Sequence, residues 1–517
     1  VIGPSIQSKV EKIPLTPGAI RKDFAVGLSF SQEVTVGSRA QGTAAEKAVP
    51  VDTITEREIE TASGSAETAQ IIEPIAPSFN FPRPTISDGT DSVRPATLRS
   101  LGPDQMRGPP RRRRSAVRFG RDRGRDQHRV EVGGLAARGR PAGRDDHPLG
   151  RRGVRRDRDD GVNEVDDSRS SYAGYVDLEA NVLPFLRLGL AGRFEHYTDF
   201  GNTSDGKVTV RVEAAKQLVF RAAASTGFRA PSLGQSDFSA ISTNFLPLGP
   251  GGSFVPFDVG HFRVNSDLAR ALGATPLRPE DSVNYSGGFV LSPSSFFDFT
   301  ADYFHIKIKN RIILSGNFTG ASLTPILAPF NATGARFFTN AIDTKTQGVE
   351  LTANTKADLH NAGVLRFQAA YAYSKNEITR IASTPPQLAG FQETLFDRLE
   401  QRRLTCGQPK DNLRLTTDWR SGDLGANVRV SRYGTYCSID SAAVANDQTF
   451  SPQWVADLEV SYQLGKVSLA VGAQNLFDSF PDRNIPANFN FGIFTYPRNA
   501  PNGFNGRYVY VRTAYTF

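Results

Sequence analysis

Between Ser171 and Arg229 apolar and polar positions alternate with period two, in segments of about ten residues. That is the length and pattern of a strand crossing a bilayer within a β-barrel. One parity of the first segment reads Tyr172, Gly174, Val176, Leu178, Ala180 and Val182, and the other reads Ser171, Ala173, Tyr175, Asp177, Glu179 and Asn181. After a break at Leu183 and Pro184 the alternation resumes through Leu186, Leu188, Leu190 and Phe194, then through Val208, Val210 and Val212, then from Leu218 and Phe220 to Arg229. Further alternating runs predict strands at 283–291, 296–309, 346–351, 364–373, 411–419, 426–433, 454–462, 467–475 and 507–517, thirteen in all, with a slip of parity near Phe304 that reads as a bulge.

The breaks decide between a soluble sandwich and a barrel. Short turns fall near 183, 216, 293, 421 and 465, and loops of tens of residues fall between them, at 227–280, 311–342, 375–410, 434–452 and 477–505. Short turns on one side and long loops on the other are the asymmetry of outer-membrane barrels, whereas a sandwich has similar connections at both ends. Val176, Leu178, Leu188, Leu190, Phe220 and Phe299 are the expected lipid-facing positions. No apolar run is long enough for a transmembrane helix, so membrane passage is expected by strands and the lipid bilayer is the expected surrounding.

The formal charge of +8 suggests a polyanion partner until it is located. Residues 107–160 contain eighteen arginines, eight acidic residues and no lysine, a local +10, so the remainder is close to neutral. Arginine among Gly, Pro, Ala and Asp, with no interleaved aromatics for base stacking, is the texture of a GC-rich coding sequence read out of frame. The expectation for 107–168 is a disordered or out-of-frame tract without a packed core, and not a nucleic-acid site.

Upstream, residues 1–48 form an N-terminal segment with no recognisable export signal and no initiator, since Met106 is the only methionine. They include a short β-prone run, Glu33, Val34, Thr35 and Val36. Residues 49–106 begin a small α/β unit: Val49 to Ile54 reads as a buried strand, Thr55 with Glu58 as a capping box, and Arg94 to Gly102 as a second extended piece.

Cys406 and Cys437 are the two cysteines. A hairpin folded between Ser421 and Gly422 sets them equally far from the turn on the long-loop side, and no histidine lies nearby to complete a metal site, so a disulfide is expected. Val509, Val511, Tyr515 and Phe517 share one parity of the last strand. His196, His261 and His305 have no arranged carboxylate or nucleophile; neither an enzyme nor a cofactor is expected.

Four stretches together resemble the TonB-dependent receptors, plugged transporters of the Gram-negative outer membrane. They are Thr226-Gly227-Phe228-Arg229-Ala230-Pro231-Ser232-Leu233, Leu277-Arg278-Pro279-Glu280, Thr346-Gln347-Gly348-Val349-Glu350-Leu351, and Gln474-Asn475-Leu476-Phe477-Asp478. The resemblance implies an all-β fold, an antiparallel transmembrane barrel at 169–517 preceded by part of an α/β plug at 49–106. About thirteen of the family's twenty-two strands are present, as in a truncated or frameshifted member. It also implies that Glu33 to Val36 is a TonB box, extended, unpaired and free to add as a strand to the periplasmic TonB protein. The closing strand becomes the signal read by the outer-membrane assembly machinery. The implied function is TonB-driven import of a scarce small-molecule ligand such as an iron chelate (a siderophore) or cobalamin, by a chain whose activity in this form is in question. A passive porin-like or structural barrel is the alternative.

Overall fold

The computed structural model describes residues 34–35, 53–54, 72–73, 75–81, 96–99, 101, 128–139, 169–247, 254–330, 332–438, 443–489, 495–497 and 499–515. Two small pairs come first: β1 (Val34–Thr35) with β2 (Thr53–Ile54), and β3 (Phe79–Asn80) with β4 (Thr97–Leu98).

One antiparallel wall follows. Its strands are β5 (His128–Gly139), β6 (Arg169–Leu183), β7 (Leu186–Tyr197), β8 (Gly201–Ala215) and β9 (Leu218–Arg229). Two strands of the next long loop, β10 (Ala240–Pro247) and β11 (Phe254–His261), stand outside it. The wall continues with β12 (Glu280–Ser294) and β13 (Phe297–Leu314). The loop strands β14 (Phe318–Thr319) and β15 (Gly334–Arg336) precede β16 (Phe338–Asp358) and β17 (Val364–Ile381). Then come β18 (Asp411–Ser421), β19 (Leu424–Tyr433), the loop pair β20 (Tyr436–Ser438) and β21 (Gln448–Phe450), and finally β22 (Gln453–Leu464), β23 (Val467–Gln474) and β24 (Tyr508–Tyr515). The fourteen-stranded sheet runs β24-β23-β22-β19-β18-β17-β16-β13-β12-β9-β8-β7-β6-β5, and among the described residues its two edges do not meet.

Thirteen of these strands are those the alternation predicts. The fourteenth, β5, lies inside the arginine-rich tract, where no element was expected; it pairs with β6 from His128↔Ala180 to Gly139↔Arg169. The unpaired backbone of β6 is a template for any extended segment, and His128 to Gly139 is the stretch of the tract where Val130 and Val132 alternate. The loop sorting also has an exception: β7 and β8 are joined on the long-loop side by only 198–200.

Register fixes which residues share a face. Leu178, Leu190, Val208, Ala224 and Tyr285 are successive neighbours across five strands, and so are Phe220, Phe289, Ala301, Leu351, Tyr371 and Leu413. This face is apolar and open: Val176, Leu178, Leu190, Val208, Phe220, Val428, Val460 and Val471 are all exposed, while Leu188 and Phe299 are half-covered by their neighbours. Exposed aromatics mark both margins, Tyr172, Phe194, Tyr285, Tyr303 and Trp454 toward the long loops, and Phe185, Phe296, Tyr462 and Tyr515 toward the short turns. An apolar band between aromatic girdles is the lipid-facing surface of such a barrel. No helix among the described residues is long and apolar enough to cross a membrane.

The expected bulge at Phe304 is absent. Pairing with β16 is regular through Phe304 and shifts only between Ile308 and Ile312, where Asn310 has φ 54°. Phe304 is simply an apolar residue on the inward face, 2% exposed, because another segment covers it.

The compact apolar core lies among the long loops. Phe262, Leu268, Leu272, Phe318, Phe337 and Leu388 pack together with Leu395 and Phe396 at the loop-side ends of β13, β16 and β17. Beside them β10, β11, β15 and β14 form a four-stranded sheet in that order, with β11 and β15 parallel.

Candidate functional site

The inward parity of the wall carries charge. Register sets Arg221 beside Gly288, Gly288 beside Asp302, and Asp302 beside Glu350. The Arg221 Nε donates to Asp302 Oδ1 at 2.9 Å, with both residues buried. The guanidinium must cross β12 to reach its partner, and it crosses at Gly288. A Cβ there would stand 2.2 Å from Asp302 Oδ1, so a side chain at this point would displace the pair.

Glu350 receives its partner from far upstream. Arg99, at the end of β4, donates from Nε to Glu350 Oε1 at 2.8 Å, and its guanidinium lies 4.5 Å over the Phe304 ring. Gly348 makes room for that ring: a Cβ would lie 2.7 Å from Phe304 Cζ and 1.9 Å from the Tyr373 carbonyl oxygen. Arg99 itself has φ 53°, a conformation disfavoured for a side chain of this size and kept only where surroundings over-determine it. They do so here. Its N–H donates to the Ser78 carbonyl at 2.8 Å, and its carbonyl accepts from Ser374 Oγ at 3.3 Å. The β3–β4 hairpin is further tied down by Asn412 Nδ2 donating to the Pro77 carbonyl at 3.0 Å and Thr97 Oγ1 donating to Gln408 Oε1 at 2.9 Å. The β3–β4 pair is thus docked on the inner wall at β13, β16, β17 and β18. Arg94 to Gly102 and Thr346 to Leu351 are both distinct stretches of the sequence, but no local pattern joins them. The available signal was a glutamate on the inward parity of a strand, which in a confined lumen calls for a cation.

On the loop side, a cavity of about 580 Å³ opens between the end of β13 and the helix Arg398–Cys406; Arg311, Arg336, Asp397, Glu400 and Arg403 are among its lining residues. Cys406 ends that helix and is bonded to Cys437 of β20, with Cα atoms 5.4 Å apart. The β18–β19 register centres the turn between Gly422 and Asp423, one residue beyond the expected point, and Cys406 belongs to a helix rather than to a prolonged strand. His261, at the end of β11, sits between the rings of Phe238 and Phe338 at 5.1 and 5.0 Å. Burial, and secondarily the Arg336 charge, lower its pKa from 6.5 to about 4.

The remaining expected site residues are dispersed. Val34 and Thr35 are extended, but they pair with Ile54 and Thr53 of the same chain, against the expectation of an unpaired segment; Glu33 and Val36 lie outside the described residues. A two-residue strand leaves backbone donors and acceptors that a neighbouring strand can satisfy. Val509, Val511 and Tyr515 are exposed on the outward face of β24, and Phe517 lies outside the described residues. Among the described residues no three His, Cys, Asp or Glu side chains gather as a metal set.

The profile described as TonB dependent receptor-like, beta-barrel matches residues 81–476. The chain belongs to the TonB-dependent receptor family. No curated protein matches it. Solved structures similar to this receptor-family chain include a ferric enterobactin receptor (PfeA) mutant from Pseudomonas aeruginosa, at 19% identity and a TM-score of 0.48, covering 68% of this chain and 45% of that one. The siderophore receptor PirA from Acinetobacter baumannii is similar at 16% identity and a TM-score of 0.47, covering 68% of this chain and 46% of the other. The FrpB iron transporter from Neisseria meningitidis is similar at 14% and 0.44, with the same coverage. The chain therefore spans less than half the length of these solved structures.

Proposed function

We propose that this chain is part of a receptor importing a scarce small ligand, an iron chelate or a molecule of comparable size, across the outer membrane, with energy delivered through TonB. The observation that carries the reading is the docking of the β3–β4 hairpin on the lumen wall by Arg99, Glu350 and Phe304. A passive barrel has no use for an upstream segment held against its inner wall. Charge pairs and side-chain hydrogen bonds in a wet lumen can be exchanged for water, so the hairpin can leave the wall without exposing a large apolar surface. The cavity between Arg311, Arg336 and Arg403 is a place for capture from outside, and Val34 to Thr35 is the segment through which TonB would pull.

The test is uptake of a panel of labelled ferric chelates and cobalamin by cells whose own receptors for them are deleted, with and without TonB. The expected result is uptake of one ligand class that needs TonB and is lost with Val34→Pro at equal receptor abundance. Uptake that is independent of TonB and unselective among the ligands would favour a passive barrel.

A further inference from the structure

Two polar side-chain atoms that line the loop-side cavity are buried without a hydrogen-bond partner among the described residues: Arg336 Nε, a donor, and Asn317 Oδ1, an acceptor. The antiparallel pairing of β14 with β15 sets Phe318 opposite Ala335 and Thr319 opposite Gly334. One step further along the same register brings Asn317 opposite Arg336, and residues directly opposite one another point to the same side. A buried polar atom left unpaired is unusual and calls for an explanation. Here a donor and an acceptor are left unpaired on neighbouring residues, on the wall of one hollow of about 580 Å³.

The charges around the hollow leave Arg336 over. Of the carboxylates that line it, Glu400 is bonded to Arg403, and Asp397 caps the helix Arg398–Cys406 by accepting from the Glu400 N–H at 2.8 Å. Arg336 makes no ion pair among the described residues. Burial lowers its pKa, and no carboxylate offsets that cost. The remaining lining is mainly aliphatic, with Ile313, Leu314, Ile342 and Leu404, and Phe396 is its only aromatic side chain among the described residues. The complement of these walls is an anion with an aliphatic body and, next to the anionic group, a hydrogen-bond donor.

We infer that the hollow takes an α-hydroxycarboxylate group carried on an aliphatic chain. The carboxylate accepts from Arg336, the hydroxyl on the adjacent carbon donates to Asn317 Oδ1, and the chain lies on Ile313, Ile342 and Leu404. A plain carboxylate answers the guanidinium and leaves the amide oxygen unpaired, whereas an alcohol does the reverse. Because the hydroxyl keeps its proton in order to donate, this end of the ligand is not a part that binds metal. The inference rests on the reading of this cavity as the place of capture, and it names the group by which the captured molecule is held. No residue of the β3–β4 pair lines the hollow, so this contact is separate from those that dock the pair on the wall.

The experiment uses the full chain refolded in detergent, with binding measured by titration calorimetry and corrected for titration into detergent alone. The probes are α-hydroxyoctanoate, octanoate, octanol and dihydroxybenzoate. The unmodified chain should prefer α-hydroxyoctanoate to octanoate by about threefold to tenfold, the worth of one neutral hydrogen bond. It should take octanol and dihydroxybenzoate more weakly than either. Arg336→Gln should weaken both carboxylates by roughly tenfold or more, since a hydrogen bond to a charged group is the stronger kind. Asn317→Ala should bring α-hydroxyoctanoate and octanoate to equal affinity, and Lys216→Gln at the short-turn rim should change nothing. If Arg336→Gln does not fold, the ranking of the probes on the unmodified chain decides. Equal binding of α-hydroxyoctanoate and octanoate, dihydroxybenzoate bound as tightly as either, no binding of millimolar α-hydroxyoctanoate because water satisfies both atoms, or unchanged affinity in Arg336→Gln would each overturn the assignment. Calorimetry does not involve TonB. Binding with the expected ranking but no TonB-dependent uptake would therefore sustain this site and reject import, whereas uptake without the ranking would reject the site alone.

Discussion

The wall and the loop cap are built by opposite rules from one continuous chain. In the wall, Leu190, Val208 and Val471 face outward and the buried side is polar, with Arg221 and Asp302 paired in the interior. In the cap, Phe318, Phe337 and Leu272 are fully enclosed, and charged groups such as Arg403 and Glu400 lie at the surface. The difference follows from the solvent. Apolar surface gains nothing from being buried where the surroundings are hydrocarbon, so the wall is held by its interstrand backbone ladder. The cap stands in water and needs the hydrophobic effect. An identical substitution should therefore have unequal consequences in the two regions.

The largest effect is expected in the cap. Phe318→Ala removes an enclosed ring that packs on Phe337 and Phe391, and it should cost about 3–5 kcal/mol. Limited proteolysis should then cut the loops between β9 and β12 or between β13 and β16 while the strands stay protected. Equal protection of those loops in both forms would mean that the cap has no core of its own.

Removing the Cys406–Cys437 bond comes next. It closes a separation of 31 residues, and by loop-closure entropy its loss should cost about 3–4 kcal/mol. Reduction should lower the melting temperature of the helix Arg398–Cys406 and β20 without affecting the resistance of the wall to detergent. A wall that softens in parallel would show that the two regions are coupled rather than separate.

In the wall, Leu190→Arg places a charge near mid-depth and should cost about 2–4 kcal/mol, measured by urea titration in phospholipid vesicles.

The pH dependence should belong to the cap. His261 titrates near 4 in the folded state and near 6.5 unfolded, so between these values the unfolded chain binds the extra proton. The contribution of the neutral imidazole is complete above pH 6.5, falls as the pH drops toward 4, and amounts to on the order of 2 kcal/mol. His261→Phe should flatten that slope. An unchanged slope would assign the acid sensitivity to other groups.

The smallest effect sharpens the comparison most. Leu190→Ala leaves a gap that acyl chains can fill, so its cost should stay below about 1 kcal/mol, against several for Phe318→Ala in the cap. If both truncations cost the same, the wall face is packed against protein and is not a lipid surface.

Most of the wall was legible in the bare sequence because its rule is local. Every second residue of a strand meets the same surroundings, so Val176, Leu178 and Leu190 declare the outward face without any knowledge of their neighbours, and the loop lengths declare the two sides. What the sequence determined alone is this alternation, the thirteen strand positions, and the family motifs around Thr226, Thr346 and Gln474. Tertiary structure decided everything that joins distant segments. Arg99 reaches Glu350 across 251 positions, and only that approach explains why Phe304 faces inward where the pattern suggested a bulge. Asn317 and Arg336 become neighbours only through strand register; β5 gains its place from the free edge of β6 rather than from its own composition; and Cys406 meets Cys437 from the end of a helix. A period of two specifies which face a residue belongs to, whereas the partner on that face is set by register and by the path of the loops, which no local pattern records.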